Sequence, residues 1–419
     1  MDGARPGRLL AAVRAPTAGA ALAVAMALAA APAAGQGTAA DVTQGERFRS
    51  FMALGGDPLV IPADWYQPRE RVAGGSGQVH APAPVADSAR LDALFASVQA
   101  SGAAAFIVWR AAGPGRPPVH RDARWGPEGQ ALVNPQSMAK TLAALLTGVA
   151  IAEGALPGPD APVGRWLTEW AGDPRGAITI RQLLTMASGL EQIGGRYGMQ
   201  PVADNPAVRQ FFGDDFLGPA LELKLADPPG TKFDYNNNAT LLLSVILARA
   251  TGRRYADYLS AKLWQPLGLS DAFLWLDRPG GWPMTSCCLF SRAEDWLAIG
   301  RLILERGRSP DGRQLVPADW IDAMVAPSGA NPRYGFQLWR GDQRVGGTPA
   351  PVVQPGTDVW QSETFLDPGT IILLGYGYQR VWVLPAHGTV IVRMGRAWPP
   401  AWDEAAIPNA VVRALGDGR

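Results

Sequence analysis

The chain has 419 residues, 47% of them hydrophobic and 18% charged, enough for one large domain or a domain carrying a sizeable insertion. A formal net charge of +1, with no long basic run, speaks against nucleic acid or an anionic membrane surface as partner. The cysteines are Cys287 and Cys288 alone, which excludes a disulfide framework; being adjacent, they are expected as two packed thiols rather than as a strained vicinal bridge.

Arg5, Arg8 and Arg14 precede a small apolar run over 18–31, and Ala31-Pro32-Ala33 has the A-x-A form of a cleavage site. Residues 1–33 therefore read as a signal peptide and the mature chain as periplasmic or secreted. The run is short and Ala-rich for a membrane span, so no stable membrane insertion is expected after cleavage, an uncleaved anchor being the lesser alternative. Residues 34–88, rich in Gly, Pro and Ala, read as an extended N-terminal lead-in. Leu91, Leu94, Phe95 and Val98 have helical spacing within 88–99, and 103–110 reads as a buried strand. Asn134 suits an N-cap and Pro135 a first helical position, which starts a helix that passes Ser137 and runs to about Glu153. From 160 to about 278 the signals are helical and loop-like. Strands return at 370–374, 380–384 and 389–393, the last two joined by the turn Pro385-Ala386-His387-Gly388, before a final helix over about 403–415. This order predicts an α+β fold: an antiparallel sheet built from both chain ends, flanking helices, and a largely helical insert at about 160–278. A site is expected in the cleft between the two parts.

The chemistry begins with Ser137 and Lys140. Four lysines and 15 serines would give roughly 0.14 of a Ser-x-x-Lys pair by chance, yet one stands at this helix start. Residues three apart share a helical face, and an amine in a dry pocket can take a serine's proton. The plain alternative is a serine in a first turn beside a solvated lysine. His80, His120 and His387 do not cluster, and no G-x-S-x-G string occurs, so a metal centre or a Ser-His-Asp triad is poorly supplied. Tyr235-Asn236-Asn237 precedes an apolar helix. The Tyr235 phenol can stand beside the serine, its high pKa lowered by Lys140, and Asn237 can hold the lysine and a substrate carbonyl. The alternative there is a set of helix-capping asparagines.

With these motifs in place, the chain resembles the serine β-lactamase and penicillin-binding-protein superfamily over about 90–415, the mature chain from 89 onward. Ser137-x-x-Lys140 looks like its first motif, and Tyr235-x-Asn237 like the Tyr-x-Asn of the class C-like esterase branch. Residues 178–190 and 291–302 are similar to connecting text of the family. The resemblance implies the β-lactamase-like fold and catalysis by Ser137, Lys140 and Tyr235, with Asn237 orienting. The third motif departs. In place of Lys-Thr-Gly or His-x-Gly the strand reads Leu373-Leu374-Gly375-Tyr376-Gly377-Tyr378-Gln379, similar to the 6-aminohexanoate-dimer (nylon-oligomer) hydrolase branch. The cation that grips a carboxylate is missing from it, and His387 is taken as a hairpin residue facing solvent. Gly375 would let a substrate carbonyl approach, with the backbone N–H groups of Ser137 and Tyr376 as oxyanion hole; the alternative for Gly375 and Gly377 is a kinked strand. The expectation is an exported serine hydrolase acting on a small-molecule ester or amide, with no metal or organic cofactor implied. A β-lactamase or D-alanyl-D-alanine peptidase, and a noncatalytic binding or regulatory protein, are the rival readings.

Overall fold

The computed structural model describes residues 39–75, 89–114, 116–193, 206–341, 361–395 and 402–416. The expected signal peptide over 1–33 and His80 lie outside them. The chain enters through helix α1 (Ala39–Ala53) and strand β1 (Arg69–Val72), then α2 (Ala89–Ala100), β2 (Ala103–Arg110) and β3 (Val119–Arg124). Helices follow: α3 (Lys140–Ala152), α4 (Ile180–Leu184), α5 (Pro206–Phe212), α6 (Leu217–Leu221), α7 (Asn237–Thr251) and α8 (Tyr255–Leu259). Next come β4 (Ala272–Trp275), β5 (Leu289–Phe290), α9 (Ala293–Leu304), α10 (Ala318–Val325) and β6 (Trp339–Arg340). Strands β7 (Ile371–Gly375), β8 (Gln379–Leu384) and β9 (Thr389–Gly395) and helix α11 (Ala406–Ala414) close the chain.

The expected α+β architecture is present. The main sheet has the order β3-β2-β9-β8-β7-β6 and is antiparallel throughout, so β2 from the front of the chain pairs with β9 from its end. Both faces are covered. Phe106 on β2 meets Phe95 of α2, whereas Trp109, of opposite parity, lies under Arg301 of α9. Helix α9 comes close because Gly300 has no side chain; a Cβ there would stand 2.6 Å from Val390 Cγ1. Helix α3 is buried nearly all round, from Lys140 to Ala150, as its unbroken apolar sequence requires. Trp320 of α10 donates to the Ala144 carbonyl at 2.9 Å and packs over Gly148.

Two parts of the lead-in and insert differ from expectation. Residues 39–53 are helical, because the Gly and Pro that gave 34–88 its loop-like average lie mostly outside that stretch. Phe48 and Phe51 of this helix pack on Phe212, and Arg47 donates to the carbonyls of Gly213 and Asp277 at 2.6 and 2.7 Å. A second, three-stranded sheet, β1-β4-β5, joins the lead-in to the end of the insert. Among the described residues no helix is long and apolar enough to cross a membrane.

Candidate active site

Ser137 sits in a tight 3₁₀ turn, Gln136–Ala139, that runs straight into α3. The regular helix thus begins five residues later than the Pro135 start that the sequence suggests. Asn134 is not the helix cap, a position taken by Pro135 for the 3₁₀ turn and by Ala139 for α3; its side-chain oxygen accepts from the Gln136 N–H at 2.9 Å just ahead of the turn. Gln136 adopts φ +54°, a left-handed conformation uncommon for such a residue, immediately before the serine. That bend leaves Ser137 partly exposed while Met138 and Ala139 are buried.

Lys140, 1% exposed, places Nζ 2.8 Å from Ser137 Oγ and donates to the Ser286 carbonyl at 2.7 Å. Burial alone holds the amine well below its ordinary pKa. A neutral amine at this distance has a lone pair for the serine proton. The Tyr235 ring lies 5.0 Å from Nζ, and its hydroxyl is hydrogen-bonded to Ser137. Burial pushes the phenol upward, and the bond to Ser137 offsets only part of that. The expected lowering by Lys140 is therefore absent, because the lysine is itself driven toward neutrality. Tyr235 is a protonated phenol here, suited to giving a proton rather than taking one.

The remaining sequence candidates are placed as follows. Asn237 is the exposed first residue of α7, and Lys140 is held by Ser137 and Ser286 instead. Asn236 does the capping, accepting from the Asn238 N–H at 3.0 Å. Gly375 ends β7 against the Ser137 turn: a Cβ there would lie 2.2 Å from the Pro135 carbonyl oxygen and 3.3 Å from Gln136 Cβ. The strand does not continue through 379; Tyr376–Tyr378 form the tight turn of the β7–β8 hairpin, with Gly377 at φ +70°. Leu59 covers Gly377, and Gln379 turns inward, where its side-chain oxygen accepts from the Gly395 N–H at 2.9 Å. Arg380 braces the turn by donating to the carbonyls of Gly375 and Gln379 at 2.8 and 3.0 Å. Its own charge is matched by Glu404, both side chains being fully buried.

His387 lies in the β8–β9 turn, at the other end of β8 from Gly375, about 17 Å along the strand. It does not face free solvent: its Nδ1 is 3.1 Å from the buried Asp367 carboxylate. His120 lies on β3, away from Ser137's turn. Cys287 and Cys288, expected as packed thiols, are joined in a disulfide; the loop after Met284 folds back, with the Cys288 N–H donating to the Met284 carbonyl at 3.1 Å. Among the described residues no group of His, Cys, Asp and Glu side chains could hold a metal ion.

Several contributors were invisible in the sequence. The Ser286 carbonyl is a backbone group with no side-chain signature. Trp339 stacks on Tyr235 with ring centroids 5.7 Å apart, and Tyr334 meets both rings edge-on. Gln337 ties α3 and α7 together: its carbonyl accepts from Thr141 of α3 at 2.9 Å and its side chain from Thr240 of α7 at 2.6 Å. The aromatic-rich string 334–339 was the available signal for this support.

Known proteins resemble this chain. A 6-aminohexanoate-dimer hydrolase of Paenarthrobacter ureafaciens is 25% identical over 290 residues, covering 63% of this chain and 65% of that protein. Esterase EstB of Burkholderia gladioli is 34% identical over 144 residues, covering 32% and 36%. The chain thus spans just under two thirds of the first relative and about a third of the second. Among solved structures, a Bacillus anthracis protein provisionally assigned as a 6-aminohexanoate-dimer hydrolase superposes with a TM-score of 0.64 at 17% identity, covering 84% of this chain and 91% of that one. The likeness establishes a β-lactamase-like fold. The family model described as Beta-lactamase matches residues 92–415, and the chain belongs to that family.

Proposed function

We propose that this protein is an exported serine hydrolase that cleaves an ester or amide through an acyl-enzyme on Ser137. The observation that carries the reading is the buried Lys140 amine, depressed in pKa and 2.8 Å from the Ser137 hydroxyl. Ser137 Oγ attacks the substrate carbonyl carbon as its proton passes to Lys140 Nζ. The Ser137 and Tyr376 backbone N–H groups receive the oxyanion; support for this comes from Gly375, which seats the β7–β8 turn directly on the nucleophile turn. The tetrahedral intermediate collapses as Tyr235 gives its proton to the departing alkoxide or amine and regains one from Lys140. Water then enters by the same route, losing its proton to the relay, and releases the carboxylic acid. Asn237, exposed at the start of α7, is available to a bound substrate carbonyl.

The names of the relatives, a 6-aminohexanoate-dimer hydrolase and an esterase, support the substrate class. Export rests on the arginine-led apolar segment and A-x-A string of the first 33 residues. The test is turnover of a panel of p-nitrophenyl esters and the matching anilides by wild type and Ser137→Ala. Ester or amide turnover that vanishes in the variant is expected. Wild-type rates in Ser137→Ala would overturn the assignment, and faster turnover of a chromogenic β-lactam than of any ester would favour the β-lactamase reading.

A further inference from the structure

Ser286, whose carbonyl holds the Lys140 amine, is followed at once by the joined pair Cys287–Cys288. Two contacts lead from this short loop into the site. Through Ser286 it fixes the direction of Nζ. With one N–H committed to that carbonyl, the lone pair of a neutral amine can be turned toward Ser137. Through Cys288 it reaches the nucleophile turn: the Asn134 amide donates to Cys288 Sγ at 3.9 Å, and the same Asn134 accepts from the Gln136 N–H with its oxygen. The loop therefore touches both the base and the bend that presents the nucleophile.

We propose that the Cys287–Cys288 disulfide is the positioning element for Lys140 and the Ser137 turn, so that a dithiol which opens it slows hydrolysis reversibly. The proposal rests on the acyl-transfer reading above. A bond between neighbouring side chains closes a small ring through the 287–288 peptide unit and fixes ψ of Cys287 and φ of Cys288. Opening it returns that freedom to the chain immediately after the Ser286 carbonyl. The loss falls on alignment, where a shift of about 1 Å is enough to cost about 10²-fold in rate. The exchange is chemically accessible because Cys287 is partly exposed whereas Cys288 is 1% exposed. A dithiol thiolate attacks Cys287 Sγ, the sulfur–sulfur bond breaks, and Cys288 leaves as a thiolate that takes up a proton. The reagent's second thiol then attacks its own mixed-disulfide sulfur. That step releases the Cys287 thiol and the reagent's cyclic disulfide, two electrons having passed to the protein.

The experiment uses the full chain, purified without reductant. Peptide mapping should find 287 and 288 joined. Dithiothreitol should lower kcat for a p-nitrophenyl ester by about 10- to 100-fold. KM should stay within about threefold and the far-UV dichroism unchanged, because substrate contacts and the fold are not the target. Reoxidation should restore the rate, and Cys287→Ser/Cys288→Ser should have the low rate and ignore dithiothreitol. The proposal is overturned if two free thiols are found before reduction. It is also overturned if complete reduction, counted by thiol titration, leaves kcat unchanged, or if activity and fold are lost together. No turnover in the oxidised protein, or equal turnover in Ser137→Ala, sinks the hydrolase reading and this proposal with it. Normal Ser137-dependent turnover that reduction does not touch sinks this proposal alone.

Discussion

Adding one carbon at Gly375 tests the contact on which the catalytic geometry depends. The backbone there has φ −120°, which alanine adopts freely, so Gly375→Ala introduces a steric effect without conformational strain. The new Cβ would stand 2.2 Å from the Pro135 carbonyl oxygen and 2.9 Å from Gln379 Cβ. A carbon–oxygen contact needs about 3.3 Å, so β7 and the nucleophile turn must separate by about 1 Å. That movement would draw the Tyr376 N–H away from the proposed oxyanion position and tilt Ser137. A displacement of this size costs about 10²-fold in rate, or about 2.7 kcal/mol of transition-state stabilisation. The fold should lose about 1–3 kcal/mol as overpacking. Gly300→Ala is the control, since its Cβ would meet Val390 Cγ1 at 2.6 Å on the α9 side of the sheet, touching no site residue. Kinetics of a p-nitrophenyl ester and thermal melting of both variants separate the two effects. A kcat for Gly375→Ala within threefold of wild type, or an equal kcat loss in Gly300→Ala, would refute the argument.

Lys140→Ala and Tyr235→Phe should each lower kcat by about 10² to 10⁴ and combine with less than additive loss, since they act on one proton path; fully additive losses in a double-mutant cycle would separate them. His387→Ala should leave ester turnover within a few-fold of wild type while lowering stability by about 1 kcal/mol, because Asp367 keeps only its backbone donors; a selective rise in KM for carboxylate-bearing substrates would contradict this. Glu404→Gln strands the fully buried Arg380 and should cost about 3–5 kcal/mol in urea denaturation. Burial raises the Asp295 carboxyl to about 7, so between the ordinary value of 3.8 and that point the native chain keeps a proton that the unfolded chain releases. Stability therefore falls with rising pH across that window. Asp295→Asn should flatten that slope when melting is followed from pH 4.5 to 7.5.

What could be read from the sequence was local. Ser137 and Lys140 were legible because a helix brings residues three apart together whatever surrounds it. Strands β7, β8 and β9 were legible because each is an apolar, β-branched run. Strand β1 was not: Arg69-Glu70-Arg71-Val72 carries no alternating apolar signal, and it is a strand only because Trp275, Leu274, Phe273 and Ala272 offer it a ladder. Helix α1 was hidden by averaging its composition with the Gly- and Pro-rich text on either side. The disulfide was misjudged because adjacency alone argued for strain, whereas the fold of the 284–289 loop decides whether two sulfurs can meet. The direction of the Tyr235 shift follows from burial of the phenol itself, which no spacing encodes. Asn237 and Asn236 were distinguishable only once the helix start was fixed.

The pairing of β2 with β9, Ala103 opposite Gly395, makes the sheet a clasp that shuts only when the two ends of the chain meet. Such a contact closes a very long loop, and topologies of this kind form slowly for that reason. A nascent or truncated chain ending before Thr389 would hold the serine, the lysine and the tyrosine, yet β2 would have no neighbour linking it to β8. The brace of Gly375 on the nucleophile turn would then have no continuous sheet behind it. Activity should accordingly appear at once on completion of the chain, and a proteolytic nick that frees β9 should abolish it at a site far from any reacting atom.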